Sequence, residues 1–300
     1  MRIASLLPSA TEIAVALGSG DALVGRSHEC DFPLWVAGLP ACTSTKLEKG
    51  LASRQIDARA KEIVRQGLSM YEVDAGLLRS LRPDVILTQT QCAVCAVTPA
   101  DLEEALGDWL GEQPVLISLA PDTLDDVFGD FARVGEATGA LRAAEEVVAG
   151  LRDRLAAIGS VARRPTVAAI EWADPLMAAG NWIPELIEAA GGQPLFASAG
   201  EHSFYLDWQA LLDADPDVVI LMPCGYRVAQ ALADLPVLRA QAGWSQLSAV
   251  RNRRVFAADG HHFFNRPGPR VIESAEIVAA ILSAADTVMS GESWSRVSDG

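Results

Sequence analysis

Pro121-Asp122-Thr123-Leu124-Asp125-Asp126-Val127-Phe128-Gly129-Asp130-Phe131-Ala132-Arg133-Val134 opens a stretch, continuing to Arg164, whose reading decides how the chain is divided. Leu124, Val127, Phe128, Phe131 and Val134 fall three or four apart, the spacing of one apolar helix face. Thr138-Gly139 interrupts, and Leu141, Ala144, Val147, Val148, Leu151, Leu155 and Ile158 then resume the spacing. A single run of about 20 residues is roughly 30 Å long, enough to cross a small lobe. Such a helix is either a crossover within one large domain or a bridge between two lobes, and the likeness of the flanking halves favours the bridge. The expected division is 1–122 for an amino-terminal α/β lobe, 123–164 for the helical segment with the bridge, and 165–300 for a carboxyl-terminal α/β lobe.

Before the bridge, Arg2-Ile3-Ala4-Ser5-Leu6-Leu7 reads as a buried strand, followed by a short helix over Ile13 to Leu17 that Gly18 and Gly20 stop. Ala22 to Gly25 is a second strand, Ile56 to Gln66 an amphipathic helix, and Val73 to Leu81 a helix that must end before Pro83. Asp84-Val85-Ile86-Leu87 and Val115 to Leu119 are further strands. Beyond the bridge, Thr166 to Ile170 matches the opening strand and Trp182 to Gly192 repeats a helix ending on glycine. Leu77-Leu78, Pro83-Asp84, a strand and Cys92 are echoed by Leu211-Leu212, Pro216-Asp217, a strand and Cys224. Val255-Phe256-Ala257 reads as the last strand and Val271 to Met289 as the last helix, with a frayed tail from Ser290.

Half of the 300 residues are hydrophobic, which gives ample core for one large domain or two lobes. With 24 basic against 39 acidic residues the formal charge is −15, so nucleic acid and acidic membrane surfaces are repelled overall, which leaves room for a compact ligand. No apolar run is long enough to insert in a membrane. Arg2 is followed by only a short apolar run before Pro8, Ser9, Thr11 and Glu12, which predicts no signal peptide and a cytoplasmic protein. Five cysteines, an odd number, fit reduced thiols or a metal site better than a disulfide framework.

Alternating strands and helices imply parallel sheets, which bind ligands beyond the carboxyl ends of their strands. That rule gathers the loops Pro8–Glu12, Ser27–Phe32, Thr88–Cys95, Glu171–Asp174, Pro223–Arg227 and Asp259–Arg270, facing a cleft if the lobes oppose one another. Candidate ligand-binding residues are Ser9, Thr11, His28, Glu29, Phe32, Gln91, Trp172, Tyr226, His262, Phe263 and Arg266. Aromatic faces suit a large planar ligand, with core packing the alternative for each singly, and Arg266 and Arg270 suit carboxylate, amide or phosphate groups or else pair with Asp259 or Glu273. Cys30, Cys92, Cys95 and Cys224 are candidate metal ligands, for zinc or an iron-sulfur cluster; small apolar plugs are the alternative reading of each. The lone Cys-x-x-Cys lacks the second pair that a zinc ribbon requires. Gly18-Ser19-Gly20 follows a helix and fails the dinucleotide pattern, and there is no P-loop, nucleophile elbow or His-Glu-x-x-His, so no catalytic residue is assigned.

The opening Ile3-Ala4-Ser5-Leu6-Leu7-Pro8-Ser9-Ala10-Thr11-Glu12, the Cys30-Asp31-Phe32-Pro33 turn, Leu81 to Leu87, Asp174-Pro175 through Gly180 and Gly191-Gly192, Asp215 to Val219, and Arg266-Pro267-Gly268-Pro269-Arg270 together carry a resemblance. The chain resembles the class III, helical-backbone periplasmic binding proteins, the substrate-binding proteins of ABC importers for vitamin B12, iron-siderophores and heme, and most closely the vitamin B12-binding branch. The resemblance implies two Rossmann-like lobes joined by a rigid helix, a ligand cleft between them, and aromatics such as Phe32 and His262 or Phe263 against a corrin. It leads to a non-catalytic binding protein for cobalamin or a similar metal-bearing macrocycle. His28, Cys30, Cys92 or Cys95 are possible axial or secondary ligands to its metal. The alternatives are a Cys/His metalloprotein or metal-dependent enzyme, and the binding subunit of an ABC importer with a permease partner.

Overall fold

A computed structural model describes residues 1–48, 50–66, 69–90, 97, 102, 113–159, 164–283 and 293–297. The chain has an α/β fold that divides into two compact units. Unit one is Met1–Leu51, Gln55–Pro121 and Asp125–Leu151; unit two is Ala52–Arg54, Asp122–Leu124 and Arg152–Gly300.

Unit one contains β1 (Ile3–Ser5), β2 (Leu23–Arg26), β3 (Thr43–Thr45), β4 (Tyr71–Val73), β5 (Val85–Gln89) and β6 (Val115–Leu119). Its main sheet has the order β2-β1-β5-β6 and every pairing in it is parallel. β1 and β5 are buried along their whole length, as strands covered by helices on both faces must be. Ala4, Leu6, Ile86 and Leu78 pack with Ile63 of the helix Ser53–Arg65 and with Met70. β3 and β4 form a separate antiparallel pair. The sequence reading began the following helix at Val73, which is the last residue of β4, since a three-residue strand gives no period to detect.

Unit two contains β7 (Thr166–Ala173), β8 (Leu176–Ala178), β9 (Gln193–Pro194), β10 (Phe204–Tyr205), β11 (Val218–Leu221), β12 (Val255–Ala258) and β13 (Trp294–Arg296). The sheet order is β10-β8-β7-β11-β12-β13, with β9 also beside β7. The pairings β7-β11-β12 are parallel, but β8, β10 and β13 join antiparallel. The long strands of unit two are parallel, as the alternation of strands and helices implied, and the short strands β8, β10 and β13 extend the sheet antiparallel. The tail expected to fray instead supplies β13, whose Trp294 packs edge-on against Phe256 at 5.6 Å while Arg296 lies 5.4 Å over the same ring. Ile170, Val219, Leu221 and Leu211 meet Leu235, Leu238 and Trp244 in the core.

The helical stretch forms two helices, Leu124–Thr138 and Leu141–Ala156, broken at Gly139 with φ 72°, a left-handed angle that glycine adopts without strain. The second has 16 residues, shorter than expected, and the division between units falls within it, after Leu151.

The internal echo has a structural counterpart. Asp74 accepts a hydrogen bond from Leu77 N at 2.8 Å and caps the helix Ala75–Leu81; Asp207 accepts one from Gln209 N at 2.7 Å and caps Trp208–Ala214. Both seven-residue helices end on a left-handed residue, Arg82 at φ 45° and Asp215 at φ 39°, and both are followed by Pro-Asp. Asp84 then accepts from Arg2 N at 2.7 Å, and Asp217 from Thr166 N at 3.0 Å. In each unit the aspartate ties the entry of the second long strand to the entry of the first.

Candidate functional site

In unit one the carboxyl ends of β1 and β2 carry a hydroxyl-rich network. Ser27 N donates to Ser5 O at 2.8 Å, which brings the turn after β2 onto the end of β1. Thr11, in the helix Pro8–Ala16, donates through Oγ1 to Ser5 Oγ at 2.8 Å and lies 3.1 Å from Cys30 Sγ. Cys30 is 1% exposed and directs its thiol at Ser5 O, 3.8 Å away. A buried thiol so placed suits the small-plug reading, and among the described residues, which leave out Cys92 and Cys95, no cysteine joins two other metal-capable side chains. Ser9 is buried in the same helix and its hydroxyl has no hydrogen-bond partner among the described residues.

His28 stands at the outer end of this network. Its backbone N–H donates to Thr43 Oγ1 at 3.1 Å, and its ring Nδ1 lies 2.8 Å from the same oxygen. Thr43 Oγ1 is also 3.1 Å from Ser27 Oγ, which accepts from Glu29 N at 3.3 Å. The ring packs at 5.7 Å on Tyr71. Burial, helped by the nearby Arg26 charge, holds the His28 pKa below its usual value, so the imidazole is neutral at neutral pH. Phe32 is exposed beyond this turn. Gln91, Cys92 and Cys95 lie outside the described residues.

In unit two the parallel strands end in an aromatic and charged set. The register of β7 against β8 slips between Ile170 and Trp172, a bulge that places Glu171 where a strand can re-aim a side chain. Glu171 accepts from Ser203 Oγ at 2.5 Å, and burial pushes its carboxyl pKa up. Ser203 Oγ in turn accepts from Gly180 N at 3.0 Å. Trp172 donates its indole N–H to Ser53 O at 3.3 Å and Asp174 O at 3.1 Å, and its ring meets Tyr226 at 5.3 Å. Ser53 donates to Asp234, and Arg54 grips Asp174 through two bonds of 2.9 and 2.5 Å.

After β12 the chain makes a π-helical turn, Gly260–Phe264. Asp259, 6% exposed, accepts from His262 N at 2.8 Å and from ring Nδ1 at 2.9 Å. A carboxylate only accepts, so Nδ1 carries the proton and Nε2 accepts from Arg227, 3.2 Å away. The His261 ring, 4.7 Å from that of His262, accepts at Nε2 from Arg266 at 2.9 Å. Arg266, expected to face a ligand, is 5% exposed, while Arg270 lies 5.4 Å over the Phe263 ring. Cys224, partly exposed, follows β11, and its N–H donates to Glu171 O at 3.3 Å.

The sequence reading named Trp172, Tyr226, His262 and Phe263, and the structure brings Trp172 together with Tyr226, and His262 with Phe263 at 6.3 Å. It named Asp259 only as a partner for Arg266 or Arg270 and did not single out Glu171 or Arg227, although each sits in a strand-end loop it had gathered. Thr43, Tyr71 and Ser53 left no comparable signal, because short strands and a helix start bring them in from far along the chain.

Comparisons with known proteins add to this geometry. A family model described as periplasmic binding protein matches residues 3–261. A cobalamin-binding protein of Halobacterium salinarum is 28% identical over 285 residues, covering 91% of this chain; the chain spans 66% of that relative's length. An ABC transporter substrate-binding lipoprotein of Bacillus subtilis is 25% identical over 287 residues, covering 93% of this chain and 78% of the relative. The crystal structure of the periplasmic vitamin B12 binding protein of Vibrio cholerae superposes with a TM-score of 0.62 at 21% identity, covering 94% of this chain and 96% of that one, which supports the fold. These relatives overturn the expected cytoplasmic location, since one is a lipoprotein and another is periplasmic. That expectation rested on the first dozen residues, which contain β1 and the start of the helix Pro8–Ala16. Among the described residues no helix is long and apolar enough to cross a membrane.

Proposed function

Because the chain belongs to the periplasmic binding protein family, we propose that it is the substrate-binding subunit of an ABC importer, working outside the cytoplasm, with a corrinoid or closely related metal-bearing macrocycle as its ligand. The observation that carries this reading is the Trp172–Tyr226 pair at the carboxyl edge of the unit-two sheet. Its indole N–H is fixed by Ser53 O and Asp174 O, so the rings are held at one orientation before any ligand arrives. A rigid aromatic pair with polar groups beside it suits a large flat chelate that bears amide or carboxylate arms. The cobalamin-binding relative supports the corrinoid over other flat chelates.

Titration of the purified protein with cobinamide and with hemin, read by quenching of tryptophan fluorescence and by calorimetry, tests the reading. The expected result is saturable one-to-one binding with cobinamide tighter than hemin. Trp172→Ala should weaken it by about tenfold, the loss of an aromatic contact of roughly 1–1.5 kcal/mol. Saturable binding of hemin with none of cobinamide would move the ligand to a porphyrin, and absence of both at millimolar concentration would end the proposal.

A further inference from the structure

Glu171 is the extra residue of the β7 bulge, since Ile170 pairs with Ala178 and Trp172 with the adjacent Met177. It directly precedes Trp172 of the aromatic pair, and Glu171, Trp172, Ser203 and Tyr226 all belong to unit two. Of its carboxyl oxygens, Oε2 takes the Ser203 hydroxyl at 2.5 Å, while Oε1 has no hydrogen-bond partner among the described residues and is open to solvent. Ser203 Oγ is itself fixed by Gly180 N at 3.0 Å, so the carboxyl group is oriented at one oxygen and free at the other. Burial raises its pKa, the Ser203 hydroxyl pulls it back, and no charged side chain compensates it among the described residues. The titratable groups on neighbouring elements are engaged elsewhere. Glu201 accepts from Ser198 N at 2.8 Å, His202 lies 4.0 Å from Asp122, Arg54 grips Asp174, Tyr226 bonds Ser53, and Cys224 meets Glu171 through its backbone N–H. A carboxyl oxygen so placed accepts from an N–H donor without any change of protonation. A second carboxylate can approach it only if the two groups share a proton, because like charges at that distance repel.

We propose that Glu171 determines which arms the ligand carries: its open Oε1 accepts a hydrogen bond from a primary amide arm and turns away a carboxylate arm. The assignment rests on the importer reading above and narrows its ligand class to amide-bearing corrinoids, with acid-bearing flat chelates rejected. It also sets a proton balance. An amide arm binds with no proton taken up, whereas an acid arm binds the ionised site only by taking up one proton, so its affinity falls as pH rises.

The test uses the whole chain with two ligands of the same corrin ring, cobinamide with amide arms and cobyrinic acid with free carboxylic acids in their place. Tryptophan quenching reports binding, in high salt so that the overall negative charge of the protein is screened. The expected result is that cobinamide binds at least about tenfold more tightly than cobyrinic acid at pH 8, since a charge-assisted hydrogen bond is exchanged for a repulsion. From about pH 6 to about pH 9 the cobyrinic acid affinity should fall while that of cobinamide does not. Glu171→Gln, whose amide oxygen still accepts from Ser203, should weaken cobinamide by about fivefold, strengthen cobyrinic acid and flatten its pH profile. Opposite changes for the two ligands separate selection from a structural role, which would weaken both alike. Equal binding of the two corrins by the wild type, a cobyrinic acid affinity that does not fall with pH, or parallel losses in Glu171→Gln overturns the assignment and leaves the corrinoid reading intact. The first two outcomes need no variant. Absence of quenching by either corrin overturns the assignment and the corrinoid reading together.

Discussion

Unit one and unit two repeat one passage and then part company. In both, an aspartate cap, a seven-residue helix, a left-handed residue and Pro-Asp deliver a buried strand, and the second aspartate binds a backbone N–H at the entry of the neighbouring strand. At the carboxyl ends the likeness stops. Unit one ends in hydroxyls, a buried thiol and His28, whereas unit two ends in Trp172, Tyr226, Glu171 and two histidines bonded to arginines. The entry ends of the strands are fixed by capping and sheet hydrogen bonds, which any copy of the fold must keep. The two units differ in chemistry at the exit ends, where their side chains differ.

The largest expected contrast concerns how tightly those exit ends are built. At Gly180 a Cβ would stand 2.1 Å from Glu201 O, and at Gly260 it would stand 2.1 Å from Pro223 O. Both obstacles are backbone, which cannot rotate away. At Gly25 in unit one the nearest atoms are the side chains of Cys42 and Leu81, at 2.7 and 2.8 Å. Gly180→Ala and Gly260→Ala should each cost about 3 kcal/mol or more, the upper range for overpacking, and Gly25→Ala about 1–2 kcal/mol. Urea unfolding with intact two-state behaviour in each variant measures the difference; equal losses at all three would show that the unit-two loops yield as side chains do.

Charge sharpens the contrast next, because the units put aspartates to opposite use. Asp130 in the helix Leu124–Thr138 is fully buried, with Arg133 on Oδ1 at 2.6 Å and no described partner on Oδ2. Burial raises its pKa from 3.8 to about 6 against the opposing pull of Arg133. The native state therefore keeps a proton that the unfolded chain has lost, and stability falls as pH rises from about 4 to about 6. At 1.36 kcal/mol per pH unit that gap is worth up to about 3 kcal/mol, so Asp130→Asn should gain about 1–3 kcal/mol at pH 7 and nothing below pH 4. Asp215 in unit two is exposed and accepts from Ser248 N and Oγ at 2.6 Å each, which lowers its pKa. Its contribution is present above the usual carboxylate pKa and lost as pH falls through the lowered one. Asp215→Asn should therefore destabilise at pH 7 and have no effect in strong acid, the reverse of Asp130→Asn in the same melts.

These residues also mark how far the sequence could be read. The strands Val85–Gln89 and Val218–Leu221 and the helices before them were legible, because buried strands are continuous apolar runs and Pro-Asp marks their entry. The antiparallel additions were not, since β8, β9 and β10 have two or three residues and no period to detect. Strand-end residues were legible by position: Trp172 and His262 sit in loops that the parallel-sheet rule collects. Their supports were illegible, because Ser53 reaches Trp172 from 119 residues away and Thr43 reaches His28 from another strand. Cys30 shows the opposite failure. Its neighbours His28 and Glu29 made it look like a metal ligand, but its thiol turns inward to Ser5 and Thr11.

The shared passage predicts a smaller inequality. Asp217 accepts from Thr166 N at 3.0 Å and Oγ1 at 3.2 Å, and its own N–H donates to Thr166 Oγ1 at 2.9 Å, in a half-buried setting. Asp84 has the Arg2 N–H at 2.7 Å but a side chain 61% exposed, where water replaces a lost partner. Asp217→Ala should cost about 2 kcal/mol and Asp84→Ala less than about 1 kcal/mol, since hydrogen bonds to charged groups contribute more when the donor left behind is buried.

The smallest effect is an equality, and it bears on whether the two passages are one structure used twice. Asp74 and Asp207 each accept one helix N–H, at 2.8 and 2.7 Å, each is exposed or nearly so, and each opens a helix of seven residues. Capping of this kind is worth about 1 kcal/mol. Asp74→Ala and Asp207→Ala should therefore lose about the same stability, within a few tenths of a kcal/mol, and serine at either position should recover most of it. The helices differ in what they pack on, Leu78 in one core and Leu211 in the other. A cap acts at the solvent end and does not sense that difference unless the helix frays before the unit unfolds. Unequal losses from equal hydrogen bonds would mean that one helix opens locally, and amide exchange at Leu77 and Gln209 would identify which.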